Sequence, residues 1–194
     1  MAVAPVPSHA GGRQRVLEAA QKLFAAGCYP EIGVAQILEH AGVQAPTLYH
    51  HFGDKEGLFV FWAEQALGRI GEAIQRVVSA GLPAKDAICA YGMATLAQLD
   101  FDVQQLLRDA SRLARPESRD RVTAAYMRAV YEPLATLLVQ AVATRELRNE
   151  PIRDLADTFL GGLLSLRRDE EDVEMKANHA AWWCEAYVRA FRVA

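Results

Sequence analysis

Residues 46–52, PTLYHHF, place one tyrosine and two histidines at successive positions. These side chains could ligate a metal, transfer protons or donate hydrogen bonds to a partner. The spacing disfavours a metal site, because adjacent residues of a helix point about 100° apart and no Asp, Glu or Cys completes a ligand set. Tyr49, His50 and His51 therefore indicate either ordinary surface residues or a surface that recognises another molecule.

Motifs of enzymes and of bound cofactors are missing from the sequence. It contains no GxSxG, no HExxH, no glycine-rich phosphate loop and no carboxylate pair at metal spacing. The cysteines, Cys28, Cys89 and Cys184, are odd in number and widely spaced, which fits no disulfide framework and suits a reducing compartment. We predict no catalytic residue, no metal and no cofactor. The cysteines are interpreted as small fillers, with a redox-sensing Cys28 as the minority alternative.

The composition is typical of a folded chain without a membrane segment. Of 194 residues, 52% are hydrophobic, the formal net charge is -3 and the pI is about 6.0. No apolar run reaches the roughly 18 residues of a membrane span, and the N-terminus lacks a secretory signal, so we expect a cytoplasmic protein. Because basic residues are not in excess, binding to nucleic acid would depend on a few placed groups.

Apolar residues recur with a helical period along the chain, and no segment alternates with the period of a strand. The predicted fold class is all-α. Residues 1–11 are interpreted as a flexible tail, and the charged run 167–172, RRDEED, as a solvated loop. Helical patterns lie at residues 16–24, 34–41, 44–52, 55–79, 88–99, 103–113, 117–146, 152–166 and 171–192, with a kink expected at Pro133.

The second and third helical stretches are short and are joined only by Ala41, Gly42 and Val43. A tight turn with glycine between two short helices predicts a helix-turn-helix, whose second helix enters the DNA major groove. The core of this unit is predicted to contain Val16, Ala20, Phe24, Val34, Ile37, Leu38, Val43, Leu48 and Phe52. The outward-facing residues of its third helix would be Gln44, Ala45, Thr47, Tyr49 and His50.

Three runs, RVLEAAQKLFAAGCY, VAQILEH and AGVQAPTLYHHFGDKEGL, closely resemble the first, second and recognition helices of TetR-family transcriptional regulators. The resemblance covers roughly residues 13–60. It implies a helix-turn-helix DNA-binding domain at 12–54 and a regulatory domain for effector binding and dimerisation at 55–194, entered through a connector helix.

The same resemblance implies that Thr47, Tyr49 and His50 touch phosphates or base edges. Lys55, at the start of the connector helix, would contact a phosphate together with the helix N–H groups. Gln44 could pair bidentately with adenine if it lies in the groove. The sequence departs from the family pattern here, since Gln44 replaces the usual Ser or Thr cap and Ala45 replaces a polar or basic residue. We therefore expect modest DNA affinity per protomer.

The rest of the chain supports weaker predictions. Aromatic residues on helices that would enclose an effector pocket are Trp62, Tyr91, Phe101, Tyr126 and Phe159. Plain core packing is the alternative for each of them. The wide apolar face of the last helix and its neighbour predicts dimer contacts at Leu160, Leu163, Leu164, Trp183, Tyr187 and Phe191.

We predict a homodimeric, ligand-responsive transcriptional regulator that binds double-stranded operator DNA. An unidentified small-molecule effector would release this regulator, as a repressor, from its operator. It would do so by shifting the dimer between two arrangements of its DNA-binding domains. An all-helical enzyme or a protein-interaction module without DNA binding is the alternative. A gel shift with promoter DNA separates these classes.

Overall fold

The structure, a computed structural model, describes residues 9–166 and 173–193. Within these ranges the chain forms ten α-helices and no strand, and one isolated antiparallel bridge joins Leu147 to Arg192. The all-α prediction is confirmed. The predicted loop at 167–172 and the first eight residues of the predicted tail lie outside the described residues.

The helices follow one another with short connections. They are α1 (His9–Ala26), α2 (Val34–Ala41), α3 (Ala45–Phe52), α4 (Lys55–Val78), α5 (Ala84–Ala97), α6 (Val103–Ser111), α7 (Pro116–Tyr126), α8 (Glu132–Ala143), α9 (Ile152–Ser165) and α10 (Val173–Phe191). A 3₁₀ turn spans Tyr29–Glu31, and a π-helical turn spans Met127–Tyr131. None of the described helices combines the length and the apolar character that crossing a membrane requires.

Helix α1 begins at His9, inside the segment predicted as a tail, and includes Gly11 and Gly12. The glycine pair favoured a non-helical prediction, because glycine weakens helices. Its use here is steric: a Cβ on Gly12 would lie 3.0 Å from the methyl carbon of Thr47. Glycine therefore lets α1 approach α3 closely.

The helix predicted over 117–146 is divided by the π-helical turn Met127–Tyr131 and ends at Ala143. Pro133 follows this turn directly and has no backbone N–H, so the regular ladder of hydrogen bonds cannot continue through it. The kink expected at Pro133 thus takes the form of a wider helical turn just before the proline.

Two compact units divide the chain. The first contains residues up to Gln65 together with Gln105–Val122, and the second contains Ala66–Gln104 together with residues from Thr123 onward. The predicted boundary between residues 54 and 55 falls inside the first unit, which also takes in most of α6 and the start of α7. The predicted division between a DNA-binding domain and a regulatory domain at this boundary stays a prediction.

The core of the first unit follows the predicted stripe. Val16, Ala20, Phe24, Ile37 and Leu48 are buried, and the other predicted core residues are half-buried. The apolar start of α4 completes this core, since the rings of Phe59 and Trp62 lie 5.3 and 5.4 Å from that of Phe24. The apolar residues Leu58, Phe59, Val60 and Trp62 at the start of α4 are all buried.

The second unit is built mainly from α5, α8, α9 and α10. Two buried tyrosines fix its helices to one another. Tyr91 on α5 donates a hydrogen bond to the carbonyl oxygen of Val130 at 2.8 Å, and Tyr187 on α10 donates one to that of Leu155 at 2.8 Å. The ring of Phe159 lies 6.0 Å from the first ring and 5.0 Å from the second.

Candidate nucleic-acid interface

The turn between α2 and α3 depends on Gly42, which adopts the left-handed conformation with φ 59° and ψ 40°. A residue with a Cβ is strained there, so glycine is the natural end of α2. The guanidinium of Arg15 on α1 donates a hydrogen bond to the carbonyl oxygen of Gly42 at 3.2 Å. Sequence reasoning missed this role of Arg15, because its only local signal is an exposed basic residue on α1.

The first turn of α3 leaves the Gln44 side chain available. Gln44 is the exposed N-cap residue, yet its side chain makes no capping hydrogen bond. Ala45 is half-buried and Pro46 stands in the first turn, where a missing N–H costs little. The poor cap expected of Gln44 is thus observed, and its amide is free to reach a partner.

The exposed face of α3 carries Tyr49 and His50. Tyr49 keeps 50% of its surface accessible and His50 is also exposed, whereas Leu48 on the opposite side of the helix is fully buried. Thr47 is half-buried, with its methyl group turned towards Gly12 of α1. The predicted division of α3 into a core face and an outer face is present, with Thr47 at its edge.

His51 belongs to neither face. Its Nε2 atom is buried and finds no hydrogen-bond partner among the described residues, and its ring lies 4.9 Å from that of His50. Among all the residues that the structure describes, no three His, Cys, Asp or Glu side chains come together as metal ligands would.

Lys55 points into the first unit. Its ammonium group donates a hydrogen bond to the carbonyl oxygen of Tyr29 at 2.7 Å and lies 4.1 Å from the centre of the Tyr29 ring. The Tyr29 backbone N–H in turn donates to the carboxylate of Asp109 at 2.9 Å. Burial lowers the pKa of Lys55, and the nearby charge of Asp109 opposes that effect. The predicted phosphate contact of Lys55 stays a prediction, and it would require the side chain to leave this position.

A set of ion pairs holds the connection between α3 and α4 against α7. Arg115 donates to both carboxylate oxygens of Asp54 at 2.8 and 2.9 Å and to Glu56 at 3.1 Å. Burial alone would raise the pKa of Asp54 and of Glu56, but hydrogen bonds outweigh it and hold both pKa values below their ordinary range. The carboxylate of Asp54 also accepts the backbone N–H of Gly57 at 2.7 Å, which caps α4.

The predicted effector-pocket residues lie mostly in cores. Tyr91, Phe101 and Phe159 are at most 1% exposed, and Tyr126 is half-buried. Burial raises the pKa of Tyr126 to about 12, with the charge of Asp157 adding to the effect. Trp62 packs in the first unit against the phenylalanines of α1 and α4, and its place in an effector pocket stays a prediction. The other four stay candidates within the second unit.

The predicted dimer contacts stay predictions, and three of the six residues are buried within their own chain. Leu160, Leu163 and Tyr187 are at most 4% exposed, because they fill the core of their own protomer. The remaining three are half-buried and accessible in part: Leu164, Trp183 and Phe191. Periodicity could not separate the two groups, since a helix that is apolar on a wide face gives the same pattern for both uses.

Comparison with known proteins agrees with this geometry. Residues 16–60 match the family model TetR_N, bacterial regulatory proteins of the tetR family. Over 74 residues the chain is 35% identical to the HTH-type transcriptional repressor AcnR of Corynebacterium glutamicum, and this stretch covers 38% of the chain and 39% of AcnR. Residues 16–60 carry the N-terminal region of the TetR family. The chain thus spans about two fifths of the length of that relative.

Solved structures of TetR-family regulators share the fold over nearly the whole chain. The regulator PfmR from Thermus thermophilus aligns with a TM-score of 0.76 and 24% identity, covering 90% of this chain and 97% of PfmR. FadR from Bacillus subtilis, solved in complex with stearoyl-CoA, aligns with a TM-score of 0.71 and 16% identity, covering 92% of this chain and 99% of FadR. The resemblance to the TetR family that the sequence predicted at residues 13–60 is confirmed.

Proposed function

We propose that the chain represses transcription by binding operator DNA through α3. The observation that carries the proposal is the exposure of Tyr49 and His50 on a helix whose opposite side, at Leu48, is fully buried. A rigid helix with a polar outer face matches the major groove, and Tyr and His can donate hydrogen bonds to phosphates or base edges. Repression is favoured because the matched region resembles AcnR, a named repressor. A cytoplasmic location follows from this role.

The active form is a homodimer in this proposal, since two-fold symmetry lets two copies of α3 meet two half-sites. Support comes from α10, where Trp182 keeps 62% and Met175 keeps 44% of its surface accessible. Large apolar side chains exposed on one helix are typical of an association surface. Half-buried Leu164 and Trp183 would extend it.

A small molecule bound in the second unit would release the repressor. Support comes from the shared fold with FadR, a transcriptional regulator solved with stearoyl-CoA. The effector needs only to bind one arrangement of the dimer better than the other, and the ratio of the two affinities limits the response.

The test is binding of the purified protein to labelled DNA from the promoter region of its own gene, followed by fluorescence anisotropy. Tyr49→Phe removes only the hydroxyl, and losing a hydrogen bond to a charged phosphate of about 1.5 kcal/mol or more weakens binding roughly tenfold. His50→Ala is expected to weaken binding as well. His40→Ala is the matched control, because His40 is also exposed, on α2, and bonds only its own helix at Gln36.

Equal affinity of the Tyr49, His50 and His40 variants for the promoter fragment would contradict the assignment of α3 as the reading helix. Absence of any preference for promoter over unrelated DNA, with and without cell extract as a source of effector, would overturn the proposed function itself.

A further inference from the structure

An open cleft of about 1000 Å³ lies in the second unit, and a cysteine forms part of its wall. The cleft is bordered by α5, by the segment after α8 and by α10. Cys89 on α5 lies there beside Lys85, Met93 and Glu185. Being half-buried, Cys89 is accessible to a small molecule that enters the cleft.

A second cysteine stands directly behind Cys89. Cys184 on α10 is 0% exposed, and its sulfur lies 3.8 Å from the carbonyl oxygen of Cys89 and 4.0 Å from that of Ile88. A Cβ on Gly92 would come within 2.5 Å of this sulfur, so only glycine leaves room for it against α5. The Cys184 sulfur therefore packs directly against the turn of α5 that carries Cys89.

The two thiols differ in acidity. The hydrogen bond from Cys184 holds the pKa of Cys89 below its ordinary value, although burial and the carboxylates of Asp86 and Glu185 oppose this and Lys85 assists it. The hydrogen bond to Cys89 and burial raise the pKa of Cys184. Cys89 is therefore the first to become a thiolate, while Cys184 keeps its proton.

We propose that Cys89 and Cys184 form an oxidation site for hydroperoxides, in which Cys89 reacts and Cys184 resolves the product to a disulfide. An accessible, acidic thiol beside a second, protected thiol is the arrangement that such chemistry requires.

The reaction balances without a further reagent. The Cys89 thiolate attacks one oxygen of the hydroperoxide ROOH, an S–O bond forms, the O–O bond breaks, and RO⁻ leaves and takes up a proton as ROH. The sulfur loses two electrons to the peroxide and becomes a sulfenic acid. The sulfur of Cys184 then attacks that of Cys89, the S–S bond replaces the S–O bond, and hydroxide departs with the Cys184 proton as water.

This chemistry goes beyond the proposed function, because it requires no DNA. The remaining cysteine provides an internal control: Cys28 is half-buried at the start of the 3₁₀ turn in the first unit, and the other two lie in the second unit.

The experiment treats the reduced protein with an equimolar amount of cumene hydroperoxide, alkylates the remaining thiols after unfolding, and maps them by peptide mass spectrometry. We expect one label, on Cys28, and a cross-linked peptide pair that contains Cys89 and Cys184 with two hydrogens lost. Cys184→Ala, which removes only a sulfur from the core, should instead accumulate a sulfenic acid on Cys89 that dimedone traps. In the Cys89→Ser variant, Cys28 and Cys184 should both stay reduced and should both carry the alkyl label.

Oxidation of Cys28 ahead of Cys89 in the unmodified protein would overturn the proposal. So would a Cys89 that reaches the sulfinic state while Cys184 stays fully alkylatable, because the resolving role would then be absent. Peptide mapping of the unmodified chain decides both points even if a cysteine variant fails to fold.

Discussion

Gly57→Ala is expected to destabilise the first unit, although alanine is the better helix former. Gly57 lies in the first turn of α4, and a Cβ there would come within 2.1 Å of the carbonyl oxygen of Phe52, the last residue of α3. Ordinary contacts lie at about 3.5 Å, so the Phe52 carbonyl oxygen and the new Cβ would have to move apart by about 1.4 Å. The obstacle is backbone, which cannot rotate away as a side chain does.

The same helix offers a matched control in Gly68, which is exposed and has nothing within 4 Å of a Cβ. Gly68→Ala should stabilise the protein by about 0.5–1 kcal/mol, through helix propensity alone. The forced contact at position 57 should cost about 1–3 kcal/mol, as overpacking does in cores. The difference between the two variants therefore isolates the contact between α3 and α4.

Native-state hydrogen exchange of peptides from α3 and from the start of α4 measures the free energy of opening in the first unit separately from the second. Urea titration followed by circular dichroism gives the stability of the whole chain. A Gly57→Ala protein as stable as Gly68→Ala in both assays would refute the close approach of Phe52 and Gly57 and the geometry of α3 that depends on it.

Three further outcomes are expected. Lys55→Met should lower the stability of the first unit by about 1 kcal/mol in urea titration, because an ion–carbonyl hydrogen bond is lost; if Lys55 also contacts a phosphate, the salt slope of promoter binding should fall by about 1. Because folding lowers the pKa values of Asp54 and Glu56, both carboxylates stabilise the folded protein at pH values above their ordinary pKa. This stabilisation is lost as the pH falls through the lowered pKa values. Glu56→Gln should therefore make the stability of the protein depend less steeply on pH in acid. Tyr91→Phe should cost about 1–3 kcal/mol by calorimetry, since the buried Val130 carbonyl loses its donor, and an unchanged melting temperature would contradict that role.

Local sequence patterns were enough to predict α3 and the division between its buried and exposed faces. The period of apolar residues separated Leu48 from Tyr49, and Gly42 marked the turn, because both signals act over one or two helical turns. Pro46 fits the first turn of α3 for the same local reason.

Contacts between distant parts of the chain were not predictable. Asp54 meets Arg115 from 61 residues away, and Tyr29 meets Asp109 from 80 residues away. Each of these residues is an ordinary polar residue in its own stretch, so no local period reveals its partner. For the same reason no local pattern shows that the Lys55 ammonium group donates to the Tyr29 carbonyl oxygen.

These long-range contacts bear on how an effector could control α3. The connection that follows α3 contains Asp54 and Glu56, which are both bound by Arg115, and the Glu56 carboxylate also accepts the backbone N–H groups of Ala114 and Arg115 at 3.1 Å. The start of α7 is therefore fastened to the α3–α4 connection by charged hydrogen bonds. If α7 moves while those bonds stay intact, the connection between α3 and α4 must move with it. Breaking the bonds instead would leave two carboxylates without their partners, which costs free energy. Under the proposed function, the Arg115 contacts are thus the step inside the first unit at which movement of α7 becomes a change in the angle of α3.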